Sequence, residues 1–464
     1  MTPQTPHTMG SQSAFQVAPF VADVTPRLGD TLVFGLDADS TVAVIEHPLL
    51  AKGVVLRDAG GTYVLCALDW CTLGNDAYDL FRAGIARAAG TSPSHVAVHT
   101  VQQHTAPGVD INAQRLLDRE KDAPRCTNPD FLEAATERVA AAVHGAQWRS
   151  VTHVGTSWAA VDRVASSRRI RQPDGTILAR YSRANDPAHR MAPEGYIDGF
   201  LRTISFCDGE APLVQMHYYA THPQSYYGDR RVTYDVPGLA RERLEKDSGV
   251  FQIHFSGCAG DITMGKYNAG TPEDRAALAD RLHDAMVRSV NSISREPPPA
   301  PPRGPAPPLR GSPPPAPLQW RTVPVQFPLR SDPAFSEETN RAVLRDAGAS
   351  AAARVKAALN LAFIERVQAG RPLELSCLAL GGIRILHLPG EPFVEYQLWA
   401  QRAFPRWFVA VADLCDCATL YICTDEAYRD NGGYEQTMSF VDPSELLLKR
   451  KMEELVTGRP TAAR

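Results

Sequence analysis

Apolar residues in the first hundred positions follow two different spacings. Residues 54–56 and 63–68 are apolar runs that flank Gly60 and Gly61, which predicts a β-hairpin whose second strand is buried. Residues 75–89 then carry apolar side chains at helical intervals, and residues 95–99 form a short apolar run. The pattern therefore predicts a hairpin, a helix and a third strand that leads into the loop containing His104.

The same two spacings continue along the rest of the chain. Thr271, Pro272 and the acids after them are typical of a helix start, because a threonine cap and early acidic residues satisfy exposed amides. Further helices are predicted over residues 131–144 and 336–369, and further strands over residues 201–206, 213–219, 373–380 and 383–388. This alternation predicts an α/β fold of the mixed α+β kind.

A proline-dense stretch over residues 297–317 interrupts the pattern, and its composition predicts an exposed, poorly ordered loop. Candidate site residues lie on both sides of it, so we expect one compact unit over residues 15–464. Residues 1–14 are polar, contain no Lys or Arg and lack an apolar core, which indicates a disordered leader and not a secretory signal. We therefore expect a cytoplasmic protein.

Bulk properties exclude several classes of protein. The formal net charge of −4 provides no basic surface for nucleic acid, and no apolar run is long enough to span a membrane. The nine cysteines include no CxxC pair, which favours buried or free thiols over a disulfide framework. The expected partner is therefore a small molecule.

Short polar motifs bounded by Gly or Pro follow several of the apolar runs. They occupy residues 104–108, 219–225, 260–268, 388–391 and 421–434 and include His104, His222 and Glu391. Since ligands of α/β proteins bind beyond the carboxyl ends of strands, we expect these motifs to assemble one site. His222 and Glu391 in particular should lie close enough to share a metal ion.

In their order along the chain, these motifs resemble the catalytic domain of the neutral/alkaline ceramidases, and more closely its short bacterial relatives without the C-terminal immunoglobulin-like domain. The resemblance begins at the Ala-Asp-Val-Thr-Pro segment (residues 22–26), includes Leu-Asp-Trp-Cys (68–71), and extends over residues 15–447. It implies a metal-dependent amide hydrolase with zinc as cofactor and a small-molecule amide as substrate. The Lys-Tyr-Asn segment (266–268) resembles the short relatives and not true ceramidases, so ceramide is not the expected substrate.

The resemblance also implies a ligand set of two His, one Glu and one Tyr. Residue by residue, it assigns metal binding to His222, Glu391 and Tyr421. The first histidine of the family motif is replaced, because the loop has Gln102 at that position and His104 two residues later. Three alternatives remain open: His104 moves into the ligand role, Gln102 binds through its oxygen, or the metal site is degraded.

Four residues are candidates for catalysis beside the metal. Thr263 stands where the family has a serine, Arg168 resembles an arginine that points into the site, and Tyr434 or His104 could contact the substrate. Arg168, Tyr434 or His104 would stabilise the oxyanion, and His104 or Glu391 would move protons. For Arg168 the alternative is a surface charge pair. For Asp235 the alternatives are orienting a ligating histidine and capping a helix.

Taken together, the sequence predicts a zinc-dependent hydrolase of N-acyl amides. The alternative is a ceramidase-like protein that has lost hydrolysis and binds a ligand or serves as an accessory protein, because Gln102 and Thr263 both depart from the family pattern.

Overall fold

The computed structural model describes residues 15–36, 40–293 and 317–460, and its framework is three mixed β-sheets. Each sheet has one parallel pair of neighbouring strands, and its other neighbours are antiparallel. In spatial order, the first sheet consists of Val96–Thr100, Gly61–Leu68, Leu50–Asp58, Gln16–Asp23 and Arg149–Ser150. The second consists of Phe251–Ser256, Ala211–Tyr219, Phe200–Asp208 and His153–Ala160, and the third of Gln319–Val325, Leu373–Leu380, Ile383–His387 and Phe408–Ala412.

Helices cover the outer faces of the sheets. They are α1 (Asn75–Ala89), α2 (Ile111–Leu117), α3 (Pro129–His144), α4 (Pro187–Met191), α5 (Asp235–Ser248), α6 (Pro272–Asn291), α7 (Glu337–Arg345), α8 (Ala351–Gln368), α9 (Val394–Ala403) and α10 (Glu445–Thr457). α1 and α3 pack on the first sheet, α5 and α6 on the second, and α8, α9 and α10 on the third.

The inner faces of all three sheets share one apolar core. Its members include Val54 and Leu65 from the first sheet, Ile204 and Ile253 from the second, and Ile385 from the third. The third sheet follows the proline-dense stretch in the chain, so residues on both sides of that stretch pack together, as expected. Residues 297–316 lie outside the described residues, as does the leader over residues 1–14. The α/β class and the single compact unit are confirmed.

One predicted helix is divided in the structure. Residues 336–369 form α7 and α8, separated by residues 346–350. The Asp346 side chain accepts a hydrogen bond from Gly348 N, and Ser350 caps α8 by accepting one from Ala353 N. Short polar side chains compete for backbone amides in this way, which ends one helix and starts the next.

Short strand pairs connect the loops at the ends of the three sheets. They are Val44–Ile45 with Arg231–Val232, Thr72–Leu73 with Gly108–Val109, Ser166–Ser167 with Ile262–Thr263, Arg169–Arg171 with Ile177–Ala179, and Glu391–Pro392 with Tyr421–Ile422. In the described part of the chain, no helix is long and apolar enough to cross a membrane.

Candidate active site

The carboxyl ends of the parallel strand pairs meet at one edge of the fold. Gln102 follows Val96–Thr100, His222 follows Ala211–Tyr219, and Glu391 follows Ile383–His387. Hydrogen bonds connect the three sheets there, because Ser256 Oγ donates to Val101 O at 2.8 Å and Asp413 N donates to Ser256 O at 3.1 Å. The loops that bear the predicted site are therefore held together by the framework itself.

His222 is fully buried and its ring is fixed by one strong hydrogen bond. Nδ1 donates to Ala259 O at 2.6 Å, so Nε2 is the nitrogen that carries the free lone pair. Burial lowers the pKa of His222 well below the ordinary value, and the Arg168 charge lowers it further, which keeps the imidazole neutral. Nε2 lies 3.4 Å from Glu391 Oε2. The expected convergence of His222 and Glu391 is thus observed.

Glu391 is placed by its short parallel pairing with Tyr421. The side chains of Gln102 and Tyr421 donate hydrogen bonds to its carboxylate, while burial raises its pKa above the ordinary value. Glu391 Oε2 and His222 Nε2 are both buried and have no hydrogen-bond partner among the described residues. Two buried polar atoms therefore face each other without a hydrogen bond.

Gln102 lies in the left-handed region of backbone conformation, with φ of 71°. Its amide N donates to Trp70 O at 2.9 Å, which fixes the loop immediately beyond the strand. For a residue other than glycine this conformation costs about 1–2 kcal/mol, and such strain is concentrated at functional sites. Gln102, whose side chain contacts Glu391, is therefore a strained residue within the candidate site.

His104 lies in the same loop, and its ring centroid is 5.7 Å from that of His222 and 5.2 Å from that of Tyr227. Its Nδ1 is buried and has no hydrogen-bond partner in the described residues. Burial and the nearby His222 lower the pKa of His104 to about 3, so this imidazole is also neutral.

Arg168 is a buried cation and not part of a surface charge pair. Its side chain is almost inaccessible, and Nη1 donates to Tyr421 Oη at 3.0 Å. The guanidinium carbon lies 5.8 Å from the Tyr421 ring centroid and 5.7 Å from that of Tyr434. Burial raises the pKa of Tyr421 well above the ordinary value, and the pKa of Tyr434 to about 12, so both phenols are protonated.

The structure does not bring Thr263 or Asp235 to this cluster. The Thr263 hydroxyl donates to Tyr181 O and accepts from Gly265 N, both at 3.2 Å, so it joins its own turn to the segment that contains Tyr181. Asp235 accepts hydrogen bonds from Ser225 and from Val236 N at the start of α5, which makes it a local cap. Four histidines within strands, His99, His217, His254 and His387, are all buried.

A cavity of about 370 Å³ opens above the cluster. Gln102, His104, Glu391, Tyr421 and Tyr434 all line it. The rest of its wall is largely apolar and includes Val33, Phe34, Leu36, Ala352, Ala353, Leu420 and Met438. Lys356 and Tyr227 also line the cavity and were not identified from the sequence. Lys356 lies within a helix and in no motif, so only its position in space relates it to the site.

No three His, Cys, Asp or Glu side chains in residues 15–36, 40–293 and 317–460 are grouped so that they could hold a metal ion by themselves. This grouping covers His, Cys, Asp and Glu only, so it does not include Tyr421 or Gln102. At this edge of the fold His222 Nε2 and Glu391 Oε2 lie 3.4 Å apart, with the side chains of Tyr421 and Gln102 in contact with the glutamate.

Comparison with solved structures identifies the fold. A neutral ceramidase from Pseudomonas aeruginosa is similar over 98% of this chain and 76% of its own, with a TM-score of 0.68 and 14% sequence identity. A second structure, described as a ceramidase complexed with C2, is similar over 97% of this chain and 77% of its own, with a TM-score of 0.67 and 15% identity. No protein-family model and no curated protein matches the sequence. The chain has the neutral ceramidase fold.

Proposed function

We propose that this protein is a metal-dependent hydrolase that cleaves an amide bond, with zinc as its cofactor. The observation that carries the proposal is the buried pair of His222 Nε2 and Glu391 Oε2, 3.4 Å apart and without hydrogen-bond partners among the described residues. An unpaired buried polar atom costs about 1–3 kcal/mol, so two of them facing each other favour a missing shared partner.

The separation of these two atoms fits a zinc ion. Zinc lies about 2.0–2.2 Å from imidazole nitrogen and carboxylate oxygen in tetrahedral sites, which puts two such ligand atoms roughly 3.4 Å apart. The observed 3.4 Å agrees with this value. Tyr421 and His104 are the proposed further ligands, and Gln102 acts by orienting Glu391 through its hydrogen bond.

When bound, zinc lowers the pKa of a water molecule and polarises a carbonyl group. The chain's own residues supply the rest of the chemistry. Arg168 donates to the Tyr421 hydroxyl, so this buried cation fixes the Tyr421 oxygen and adds positive potential next to the cavity, where an oxyanion would develop. His104 is neutral and lines the cavity, so its lone pair is available to a metal ion. Tyr434 lines the substrate side of the same cavity.

The ceramidase fold supports an amide as the bond that is cleaved, since ceramide is an N-acyl amide. The cavity of about 370 Å³ lies near the lower end of ligand pockets, about 300–1,000 Å³. A compact N-acyl amide therefore suits this site better than a lipid with two long chains.

The test combines elemental analysis of the purified protein with a panel of N-acyl amides. We expect bound zinc and hydrolysis in the wild type, and loss of both in His222→Ala and Glu391→Gln. His144→Ala, an exposed change at the end of α3, is the matched histidine control and should retain both.

Chelation should abolish hydrolysis, and added zinc should restore it. A wild type that binds neither zinc nor any other divalent metal and hydrolyses no amide would contradict the proposal. Retained amide binding in that case would favour the ligand-binding alternative.

A further inference from the structure

The cavity contains a cation that the proposed chemistry does not use. Lys356 projects from α8 and lines the same cavity as Glu391 and Tyr421. Arg168 is held away from the cavity by Tyr421, and the Glu391 carboxylate lies against His222. Lys356 is thus the charged side chain of the cavity wall that lies apart from the reacting cluster.

The ammonium group of Lys356 is held in place without a carboxylate. Nζ donates to Thr437 O at 2.6 Å and lies 5.1 Å from the centroid of the Phe335 ring. Among the residues with described side chains, Lys356 has no ion pair, whereas Lys52 pairs with Glu242 and Glu245 and Lys449 pairs with Glu445. A partly buried ammonium that is fixed and has no anionic neighbour in contact attracts an anion more strongly than a freely solvated one.

The burial of Lys356 also has an electrostatic consequence. Burial lowers its pKa below the ordinary lysine value, partly opposed by the charge of Asp332. A bound anion would reverse this effect, because an opposite charge favours the protonated amine.

Apolar residues line the cavity together with Lys356 and the reacting cluster. Phe34 and Leu36 from the segment after Gln16–Asp23, together with Leu420 and Met438, line the cavity. The cavity thus combines polar side chains that can bind an amide, apolar side chains that can contact a hydrocarbon group, and one cation, Lys356, that can bind a negatively charged group.

We infer that the substrate is an N-acyl amide that carries a carboxylate, such as an N-acyl amino acid, and that Lys356 binds this carboxylate. The inference rests on the proposed amide hydrolysis, which it deepens by naming the substrate class. Lys356 is then a specificity-determining residue, and a neutral amide of the same size is the poorer substrate.

The test compares N-octanoylglycine with N-octanoylethanolamine, which share an acyl chain and an amide and differ in charge. For the wild type we expect kcat/KM to be at least about tenfold higher for the anionic amide, corresponding to about 1.4 kcal/mol. Lys356→Met should reduce the ratio of the two kcat/KM values at least about tenfold, mainly through KM of the anionic amide, and Lys356→Arg should restore most of it. Lys246→Met, an exposed change in the last turn of α5, is the matched control.

Two results would overturn the inference: a wild type that prefers the neutral amide, or a Lys356→Met variant in which the ratio does not change. If neither amide is hydrolysed, the proposed hydrolysis fails, and calorimetric binding of the same two compounds then decides on Lys356. Preferential binding of N-octanoylglycine that is lost in Lys356→Met supports the anion site, and equal binding or none refutes it.

Discussion

At the scale of single residues, the main feature of the site is a pair of buried polar atoms, His222 Nε2 and Glu391 Oε2, that have no hydrogen-bond partner among the described residues. His222 uses Nδ1 for Ala259 O, which leaves Nε2 for Glu391 or an ion. Gln102 contacts Glu391 from a left-handed backbone conformation. These details could not be predicted from the sequence, since they depend on backbone angles and on contacts between distant loops. The convergence of His222 and Glu391 could be predicted, because both follow apolar strands.

The first prediction concerns Gln102. Histidine is among the residues that tolerate left-handed backbone, so Gln102→His should fold and place an imidazole beside Glu391. Because imidazole is a better zinc ligand than an amide, we expect tighter zinc binding, measured by competition with a chelator. Gln102→Ala should have a smaller effect than His104→Ala, for which we expect loss of both zinc and hydrolysis. A Gln102→His variant with no gain in zinc affinity would argue against this geometry.

The second prediction separates the two tyrosines of the site. Tyr421→Phe keeps the ring but removes the hydroxyl that accepts from Arg168 and donates to Glu391. Leaving the buried Arg168 without this acceptor should lower the free energy of unfolding by about 1–3 kcal/mol, and zinc content and hydrolysis should fall as well. Tyr434→Phe is the matched control and should retain zinc. If Tyr421→Phe retained its zinc and its hydrolysis while Tyr434→Phe lost both, Tyr434 and not Tyr421 would be the tyrosine that binds the metal.

At the scale of elements, patterns of apolar residues located most strands and helices, and local chemistry explains the exceptions. The helix predicted over residues 75–89 is observed with those bounds as α1. The helix predicted over residues 336–369 is divided, because Asp346 and Ser350 bond nearby backbone amides. Thr263 lies in the expected turn, but its hydroxyl forms hydrogen bonds with the backbone of Tyr181 and Gly265. A motif thus places a residue near a site without fixing the direction of its side chain.

The third prediction tests how closely two loops approach at the site. A Cβ atom on Gly260 would lie 2.4 Å from Glu391 O, and Gly260 has no left-handed φ, so contact is the only obstacle. Gly260→Ala must therefore displace the backbone of Glu391, and a loss of about 1–3 kcal/mol of stability is expected together with loss of hydrolysis. Gly199→Ala is the control, since its Cβ would meet no atom within 4 Å. If Gly260→Ala hydrolysed the substrate normally, the close packing of Gly260 against the Glu391 backbone would not be needed for activity.

At the scale of the whole molecule, the protein interior contains histidines whose burial affects stability. His217 is fully buried, with Nδ1 2.9 Å from Thr203 Oγ1 and Nε2 2.8 Å from Gln252 Oε1. Burial lowers its pKa to about 4. Buried acids act in the opposite direction, because burial raises the pKa of Asp110 to about 6 and of Asp261 to about 7. The net pH dependence of the wild type therefore combines opposing contributions, and a single substitution is needed to isolate one.

The fourth prediction isolates His217. Above pH 6.5 the residue is neutral both folded and unfolded; as the pH falls toward 4, the unfolded chain takes up a proton that the folded protein does not. The free energy of unfolding of the wild type therefore falls by about 1.4 kcal/mol per pH unit across that window because of His217.

His254, the neighbouring titratable group, is also held neutral by burial and adds no charge at neutral pH. His217→Gln lacks this loss, so the stability difference between wild type and variant should shrink by roughly 2 kcal/mol between pH 8 and pH 5, measured by urea unfolding. His144→Ala, an exposed substitution in α3, is the control for general effects of removing a histidine. If the difference for His217→Gln stays constant over that range, His217 is not the buried neutral imidazole that the structure shows.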